Sequence, residues 1–373
     1  MNVQDILADL VSIPDLPGQS NAAMSACVQK HLICAGAQFK VLPGPEGDRE
    51  NIFATLGPTY EAGYILSGHM DVVPVAGQNW TSDPFTLTAR GERLYGRGTS
   101  DMKGFLACML ATAYEVDGDA LKRPLHLAFS YDEEIGCRGV GHMIARLPEL
   151  CAQPLGCVIG EPSDMTPVLS HKGKQAVTII FSGQSAHSSN PDAGVNAIYP
   201  AAEVALFVHD LNKRMERNGP FDQRFSPAHS TVVAGVVRGG TAVNIIPDSC
   251  AIDIECRAVP DQDPALLIEE VIAFAQRCVD ENKAIAVDQQ LLGKYPALPP
   301  PANQKFTQLM EKLTNRSAIS AVSYGTEAGL FDAAGVPSII CGPGSITRAH
   351  KPDEYIEKGE LKNCCDVLWR LQH

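Results

Sequence analysis

Residues 64–74 read YILSGHMDVVP, and the pattern of this stretch indicates the class of the fold. The apolar run at its start predicts a strand that ends at Ser67–Gly68, and His69 and Asp71 follow directly. Polar side chains at the end of a short apolar strand are typical of an open α/β sheet, which places its site at the strand ends.

The segments around this strand alternate between strand and helix patterns. Strands are predicted at 52–56, 125–131 and 157–160, and the Ala-rich run 103–116 predicts a helix. This alternation indicates an α/β fold, in which a mainly parallel sheet is covered by helices on both faces.

The pattern changes after residue 174. Strands and helices are predicted there in the order strand–helix–strand–strand–helix–strand, at 177–182, 195–211, 230–237, 250–258, 264–281 and 284–291. This order predicts an inserted ferredoxin-like α+β domain over 175–291. Pro296 and the run Pro299–Pro301 mark a stiff return linker. Residues 1–174 and 292–373 would then form one discontinuous domain.

Composition and charge disfavour several classes of protein. Lys and Arg number 30 against 43 acidic residues, a formal charge of -13, which disfavours nucleic-acid binding. The chain has no uncharged apolar run of about 18 residues, so no membrane span is predicted. Residues 1–20 lack the basic start and apolar core of a secretory leader, so a cytoplasmic protein is expected. Its 12 cysteines are expected to be reduced.

Acidic residues and histidines recur where predicted strands end or helices begin. The set comprises His69, Asp101, Glu133, Glu134, Glu161 and His350. Because the carboxyl ends of the strands in an open α/β sheet share one edge, we expect these side chains to lie together there.

Two histidines and four carboxylates suit one kind of chemistry. Two imidazoles and three carboxylates can hold two divalent metal ions, with one carboxylate bridging, and the fourth carboxylate can act as general base. Oxygen and imidazole donors without thiolate suit a zinc pair, with cobalt or manganese as substitutes. Asp71 is placed in sequence to hold the other ring nitrogen of His69.

Each residue taken alone has a simpler interpretation. Asp101 also suits a helix cap, the adjacent pair Glu133–Glu134 also suits a solvated surface, and Glu161 also suits a loop. Their joint placement is what favours a metal site.

Five runs of sequence resemble a known family, in the order SGHMDVVP, GRGTSDMKG, YDEEIG, GEPS and AHKPDEY. They are similar to the motifs of the acetylornithine deacetylase and succinyl-diaminopimelate desuccinylase family of dinuclear zinc amidohydrolases and peptidases. The resemblance implies that residues 1–174 and 292–373 form the catalytic domain. It implies that 175–291 is a lid and dimerisation domain, so a homodimer is expected.

The resemblance also implies a role for each site residue. One metal would be held by His69 and Glu161, the second by Glu134 and His350, Asp101 would bridge both, and Glu133 would be the general base. The peptide bond between Asp101 and Met102 is expected to be cis.

A further histidine, His187, matches one that reaches into the partner subunit's site and stabilises the oxyanion. From the residues alone, His187 also suits a loop histidine capped by Ser185 or Ser188.

Substrate-binding residues are implied in the same way. Asn244, Arg257, Gly325 and Thr326 match positions that hold the carboxylate or carbonyl of the substrate, although Arg257 also suits an ordinary salt bridge. Glu327 is a candidate partner for a cationic side chain, and it also suits a helix cap.

Within the family, the runs GQSAHSSNPDAGVNAI and GPGSITRAHKPDEY are most similar to the acetylornithine deacetylase branch. This implies hydrolysis of a small N-acyl amino acid, N-acetyl-L-ornithine, to L-ornithine and acetate in arginine biosynthesis. A succinyl-diaminopimelate desuccinylase, an aminoacylase or a dipeptidase would share the metal site. A desuccinylase should carry more arginine near the pocket, where this chain offers Glu327. A non-catalytic binding protein on the same fold is disfavoured because all six site residues are present.

Overall fold

The computed structural model describes residues 1–281 and 283–372. Over these residues the backbone forms fifteen strands and ten α-helices. No helix in this part of the chain is long and apolar enough to cross a membrane.

The strands and helices have the following bounds. The strands are β1 Gln38–Pro43, β2 Glu50–Leu56, β3 Tyr64–His69, β4 Thr88–Arg90, β5 Arg93–Tyr95, β6 Leu125–Ser130, β7 Gly156–Pro162, β8 Gly173–Ser182, β9 Ala186–His187, β10 Thr231–Gly239, β11 Ile245–Ile246, β12 Ser249–Ala258, β13 Ala286–Tyr295, β14 Ser338–Gly342 and β15 Tyr355–Glu357. The helices are α1 Val3–Val11, α2 Ala22–Cys34, α3 Lys103–Glu115, α4 Val140–Ile144, α5 Leu147–Leu150, α6 Ile198–Asn218, α7 Pro264–Asp280, α8 Lys305–Thr314, α9 Ala328–Ala333 and α10 Lys358–Leu371.

The chain divides into two compact units. The first comprises residues 1–170, 300–321 and 326 onward, and the second comprises residues 171–299 and 322–325. The sequence predicted an inserted domain over 175–291. Its role as a lid and dimerisation domain, and the catalytic role of the rest, stay predictions.

A six-stranded sheet forms the centre of the first unit, in the order β1–β2–β6–β3–β7–β14. Strands β6, β3, β7 and β14 are parallel, whereas β1 and β2 add an antiparallel edge. The parallel strands carry near-continuous apolar sequences because helices cover both of their faces. Strands β6 and β7 are buried along their whole length. The predicted mainly parallel α/β sheet is confirmed.

Helix α3 lies in the core of the first unit, against α1 and α10. Every residue from Lys103 to Ala113 is buried, as expected of a helix that is apolar on all sides. Because α3 begins at Lys103, Asp101 lies directly before its first turn.

The second unit contains a four-stranded antiparallel sheet in the order β10–β12–β8–β13. Helices α6 and α7 pack on it, and β12 alternates buried and half-exposed residues as a strand with one covered face requires. The order of elements is the predicted ferredoxin-like one, β8–α6–β10–β12–α7–β13.

Some elements differ from the sequence predictions. Two short helices, α4 and α5, follow β6 where the sequence predicts a single helix over 140–147, and Pro148, which lacks a backbone N–H, lies in the first turn of α5. Strands β4, β5 and β15, which form a separate three-stranded sheet, were not predicted. Each has only three residues, which is too short for a recognisable alternation.

Candidate metal centre

The side chains at the strand ends come together in the first unit. His69 is the last residue of β3, and Glu161 lies near the end of β7. Glu133 and Glu134 follow β6, and His350 lies between β14 and β15. The parallel pairing of β3 with β6 and β7 brings these ends to one edge of the sheet.

Asp101 lies between the two histidines. Its Oδ1 is 3.2 Å from Nε2 of His69, and its Oδ2 is 3.2 Å from Nε2 of His350. On the far sides, Glu161 Oε1 lies 3.7 Å from His69 Nε2, and Glu134 Oε1 lies 3.1 Å from His350 Nε2. Each carboxylate oxygen of Asp101 therefore faces a different group of donors.

These donors are close enough together to hold metal ions. The donor atoms of His69, Glu133 and Glu161 lie within 4.8 Å of one another, and so do those of His69, Asp101 and Glu134. All of the donors are imidazole nitrogens or carboxylate oxygens, the set that zinc, cobalt and manganese accept. The residues present therefore fit a pair of divalent cations.

Asp71 contacts His69 and the backbone of both glutamates. Its carbonyl oxygen lies 2.9 Å from Nδ1 of His69, and its carboxylate Oδ1 lies 3.6 Å from the same atom. The carboxylate also accepts the backbone N–H groups of Glu133 and Glu134, each at 3.1 Å. Asp71 thus orients the imidazole mainly through its carbonyl, and it fixes the turn that carries both glutamates.

The turn after β6 depends on a contact that the sequence analysis missed. Asp132 has a φ of 54°, in the left-handed region, and it is 2% exposed. Its carboxylate pairs with the Arg49 guanidinium and accepts the Gly18 N–H at 2.7 Å. These contacts hold a backbone conformation that is unfavourable for aspartate, directly before Glu133.

The peptide bond between Asp101 and Met102 is cis, as the resemblance implied.

Burial and mutual contact shift the acidities of these groups. Burial raises the pKa of Glu133 to about 8, and it also raises that of Glu161. Hydrogen bonds to Asp101 and Glu134 raise the pKa of His350 to about 10. Burial alone would lower the pKa of His69, but the hydrogen bond to Asp101 and the charge of Asp71 raise it well above its usual value. The crowded carboxylates thus favour a compensating positive charge between them.

Glu327 adds a further carboxylate to this region. Its side chain is 1% exposed, accepts the Ser67 hydroxyl at 3.2 Å and makes no cap bond to α9. Burial raises its pKa to about 7, and the charge of His69 acts to lower it. Glu327 thus occupies the N-cap position of α9, as the helix-cap interpretation suggests, but its side chain makes no cap hydrogen bond and lies inside the first unit. Thr326, beside it, is fully buried, and its hydroxyl accepts the Ala328 N–H at 3.0 Å.

The other predicted substrate residues lie in the second unit. Arg257 donates through Nε to Glu255, two residues earlier on β12, at 2.6 Å. Asn244 is exposed, and its carbonyl accepts the Ser188 N–H at 3.0 Å. Gly325 approaches the Tyr295 ring so closely that an added Cβ would lie 2.1 Å from it.

His187 is exposed on β9, which pairs with β11. Its Nδ1 lies 2.7 Å from the hydroxyl of Ser189, rather than from Ser185 or Ser188. The imidazole is therefore anchored at one nitrogen.

A sequence model described as peptidase family M20/M25/M40 matches residues 65–372. The acetylornithine deacetylase of Proteus mirabilis (strain HI4320) is 33% identical over 359 residues, which cover 95% of this chain and 90% of that protein. The acetylornithine deacetylase of Klebsiella pneumoniae (strain 342) is 32% identical over 359 residues, with coverage of 95% and 91%.

Solved structures share the fold. An M20 family metallo-carboxypeptidase from Sulfolobus solfataricus has a TM-score of 0.79 at 16% identity, covering 100% of this chain and 99% of that chain. A dinuclear metal-binding peptidase of the M20 family from Bacillus subtilis has a TM-score of 0.67 at 15% identity, covering 99% and 96%.

Proposed function

This chain belongs to peptidase family M20/M25/M40, and on that premise we propose that it is a dinuclear zinc amidohydrolase that converts N-acetyl-L-ornithine and water to L-ornithine and acetate. Membership of this metal-dependent family makes the chain a hydrolase. The zinc pair, the substrate and a place in arginine biosynthesis in the cytoplasm are the proposal.

The observation that carries the proposal is the position of Asp101, with one carboxylate oxygen 3.2 Å from each of two histidines. In the proposed site His69 and Glu161 would hold one zinc ion, and Glu134 and His350 would hold the other. Asp101 would be a ligand of both. Cobalt or manganese would be accepted by the same donors.

When bound, the ions would supply Lewis acidity, which polarises the scissile carbonyl and makes water more acidic. Glu133 takes no part in the proposed ligand set, so its carboxylate is available as the general base. It would accept a proton from the attacking water and return it to the leaving amine. Asp71 keeps Glu133 in place through the hydrogen bond to its backbone N–H.

A second copy of the chain would complete the reaction. In this proposal 175–291 acts as the lid and dimerisation domain, and His187 donates from one subunit to the oxyanion in the other. The exposure of His187 and the anchoring of its Nδ1 support this role, because Nε2 faces away from the anchored atom.

Charge supports a basic substrate. Six buried or nearly buried carboxylates surround the two histidines, namely Asp71, Asp101, Glu133, Glu134, Glu161 and Glu327. Glu327, whose pKa of about 7 leaves it partly ionised at neutral pH, adds negative charge that no proposed metal ligand accounts for. This charge favours a cationic side chain such as that of ornithine, and it disfavours the additional carboxylates of N-succinyl-diaminopimelate.

The recognition of the rest of the substrate is also proposed. Asn244, Arg257, Gly325 and Thr326 would hold its carboxylate and carbonyl groups. Arg257 would have to exchange its bond to Glu255 for one to the substrate, or to share its guanidinium between both. Glu327 would act on the cationic end through its charge.

The test is a comparison of substrates with zinc or cobalt present. N-acetylornithine, N-succinyl-diaminopimelate and N-acetylmethionine should be hydrolysed with a strong preference for the first. N-acetylnorvaline, which lacks only the terminal amine of N-acetylornithine, is the matched control and should show kcat/KM lower by about tenfold or more. Preference for another substrate would move the chain to a neighbouring branch. Metal binding without any hydrolysis would favour the binding-protein alternative.

A further inference from the structure

A further buried carboxylate, that of Glu354, contacts the loop that presents Asp101. It is 1% exposed, and it belongs to the segment between His350 and β15. It was not among the site residues predicted from the sequence.

Both oxygens of Glu354 are saturated by N–H donors. Oε1 accepts the backbone N–H groups of Ser100 at 2.8 Å and Asp101 at 3.0 Å. Oε2 accepts the Gly98 N–H at 3.0 Å and Nη1 of Arg97 at 2.7 Å. One carboxylate therefore holds three backbone N–H groups, those of Gly98, Ser100 and Asp101, in the loop that presents Asp101.

The backbone of this loop is conformationally restricted at Gly98. Gly98 has a φ of 82°, and a Cβ there would lie 2.7 Å from the Val72 side chain. The N–H groups at 98, 100 and 101 point at one position, which only an acceptor with two oxygens can occupy.

Arg97 links the Glu354 carboxylate to the backbone at His350. Its Nη1 also donates to the Lys351 carbonyl at 3.3 Å, and its Nη2 donates to Oε1 of Gln78 at 2.6 Å. Gln78 in turn donates to the carbonyl of His350 at 3.0 Å. His350 has a φ of 61°, a left-handed conformation that its surroundings must maintain.

We propose that Glu354 is a positioning residue that sets the separation of Asp101 and His350 through its saturated carboxylate and its ion pair with Arg97. This inference rests on the proposed function, because it assigns these two side chains to the second metal. Glu354 touches neither metal nor substrate. It would act because groups that orient metal ligands commonly change metal affinity by about 10- to 100-fold.

The test measures metal binding rather than turnover alone. In Glu354→Gln an amide NH₂ group would face two N–H donors, while the volume stays the same. Metal-free protein is titrated with Zn²⁺ by calorimetry and with Co²⁺ by visible absorption. We expect the second binding event to weaken by about 10- to 100-fold, with a smaller change in the first. The lost activity should return at high metal concentration.

Two further variants separate positioning from simple destabilisation. Val367→Ala removes a buried side chain from α10 in the same unit without touching either loop, so it should lower the thermal midpoint and leave both metal affinities unchanged. If Glu354→Gln does not fold, Gln78→Leu removes the hydrogen bond to the His350 carbonyl together with the acceptor for Arg97 and Trp80, and leaves all four donors to Glu354 in place. It should weaken the second metal by a smaller factor.

Three outcomes decide the matter. Selective weakening of the second metal in Glu354→Gln or Gln78→Leu supports the inference. Unchanged affinities in these variants, or an equal loss in Val367→Ala, would overturn it and leave the proposed function standing. Wild-type protein that binds fewer than two metals would overturn the proposed function and this inference together.

Discussion

Mild acid should destabilise the first unit through one buried histidine, His126 of β6. Its side chain is 0% exposed and stacks on Phe53, with 5.3 Å between ring centroids. Nδ1 lies 3.0 Å from the Thr55 hydroxyl, and Nε2 has no hydrogen-bond partner among the described residues. Burial lowers the pKa of His126 to about 4, and none of the described residues supplies a charge that opposes this shift.

The size of the effect follows from the difference between the folded and unfolded states. An unfolded histidine titrates near pH 6.5, so below that pH the unfolded chain binds more protons than the folded one. The stability contributed by neutral His126 is therefore complete above about pH 6.5 and is lost as the pH falls to about 4. The shift corresponds to about 3 kcal/mol in total, of which about 2 kcal/mol is lost by pH 5.

The assay is urea unfolding of metal-free protein between pH 7.5 and pH 4.5. His126→Gln has no titrating group at this position, so the difference in unfolding free energy between wild type and variant isolates the histidine. His142→Gln, which changes an exposed histidine of α4, is the matched control. The wild type should lose about 2 kcal/mol more than His126→Gln between pH 7 and pH 5. Parallel pH profiles for these two proteins would refute the reasoning.

Three further predictions concern the site and its supports. Glu133→Gln should keep both metals and lower kcat by about 10²- to 10⁴-fold, and an equal loss of metal content would rule out its assignment as base. Arg49→Met should leave the 2%-exposed Asp132 without its cation and destabilise the protein by about 3–5 kcal/mol in urea unfolding; a loss below about 1 kcal/mol would mean that the pair is unimportant. Saturating zinc should raise the thermal midpoint of wild type, because it binds the folded site, and should raise that of His350→Ala by less; equal shifts would remove His350 from the ligand set.

The clustering of the side chains at the site could be predicted because they follow strands, or precede a helix, that the sequence makes visible. His69 follows an apolar strand, and Asp101 precedes a helix that is apolar on all sides. A parallel sheet brings such positions to one edge whatever the details of packing. The ordered motifs then gave each residue an expected role.

The supports of the site could not be predicted, because they depend on contacts between distant segments. Arg49 and Asp132 are 83 residues apart, and Glu354 is 253 residues from Asp101. The sequence around an acidic residue does not show whether its carboxylate accepts four N–H hydrogen bonds or faces solvent. Only the folded chain shows where these carboxylates find their donors.

Burial also altered the interpretation of single residues. Glu327 was expected at the cationic end of the substrate, but its carboxylate is 1% exposed and bonded to Ser67. Asp71 was placed by its sequence position to hold the other ring nitrogen of His69, and the folded chain shows that its carbonyl is the nearer acceptor, at 2.9 Å against 3.6 Å for its carboxylate. Such choices between nearby acceptors depend on differences of less than an ångström, which sequence spacing does not resolve.

The central claim is that two metal ions bound by this cluster hydrolyse N-acetylornithine, and one titration tests it directly. Metal-free protein would receive zinc in steps, with calorimetric binding and N-acetylornithine hydrolysis measured on the same samples. Two bound equivalents are expected, with hydrolysis that appears as they bind and is absent in chelator. Full hydrolysis in chelator, or two bound equivalents in a variant that lacks both Glu134 and His350, would contradict it.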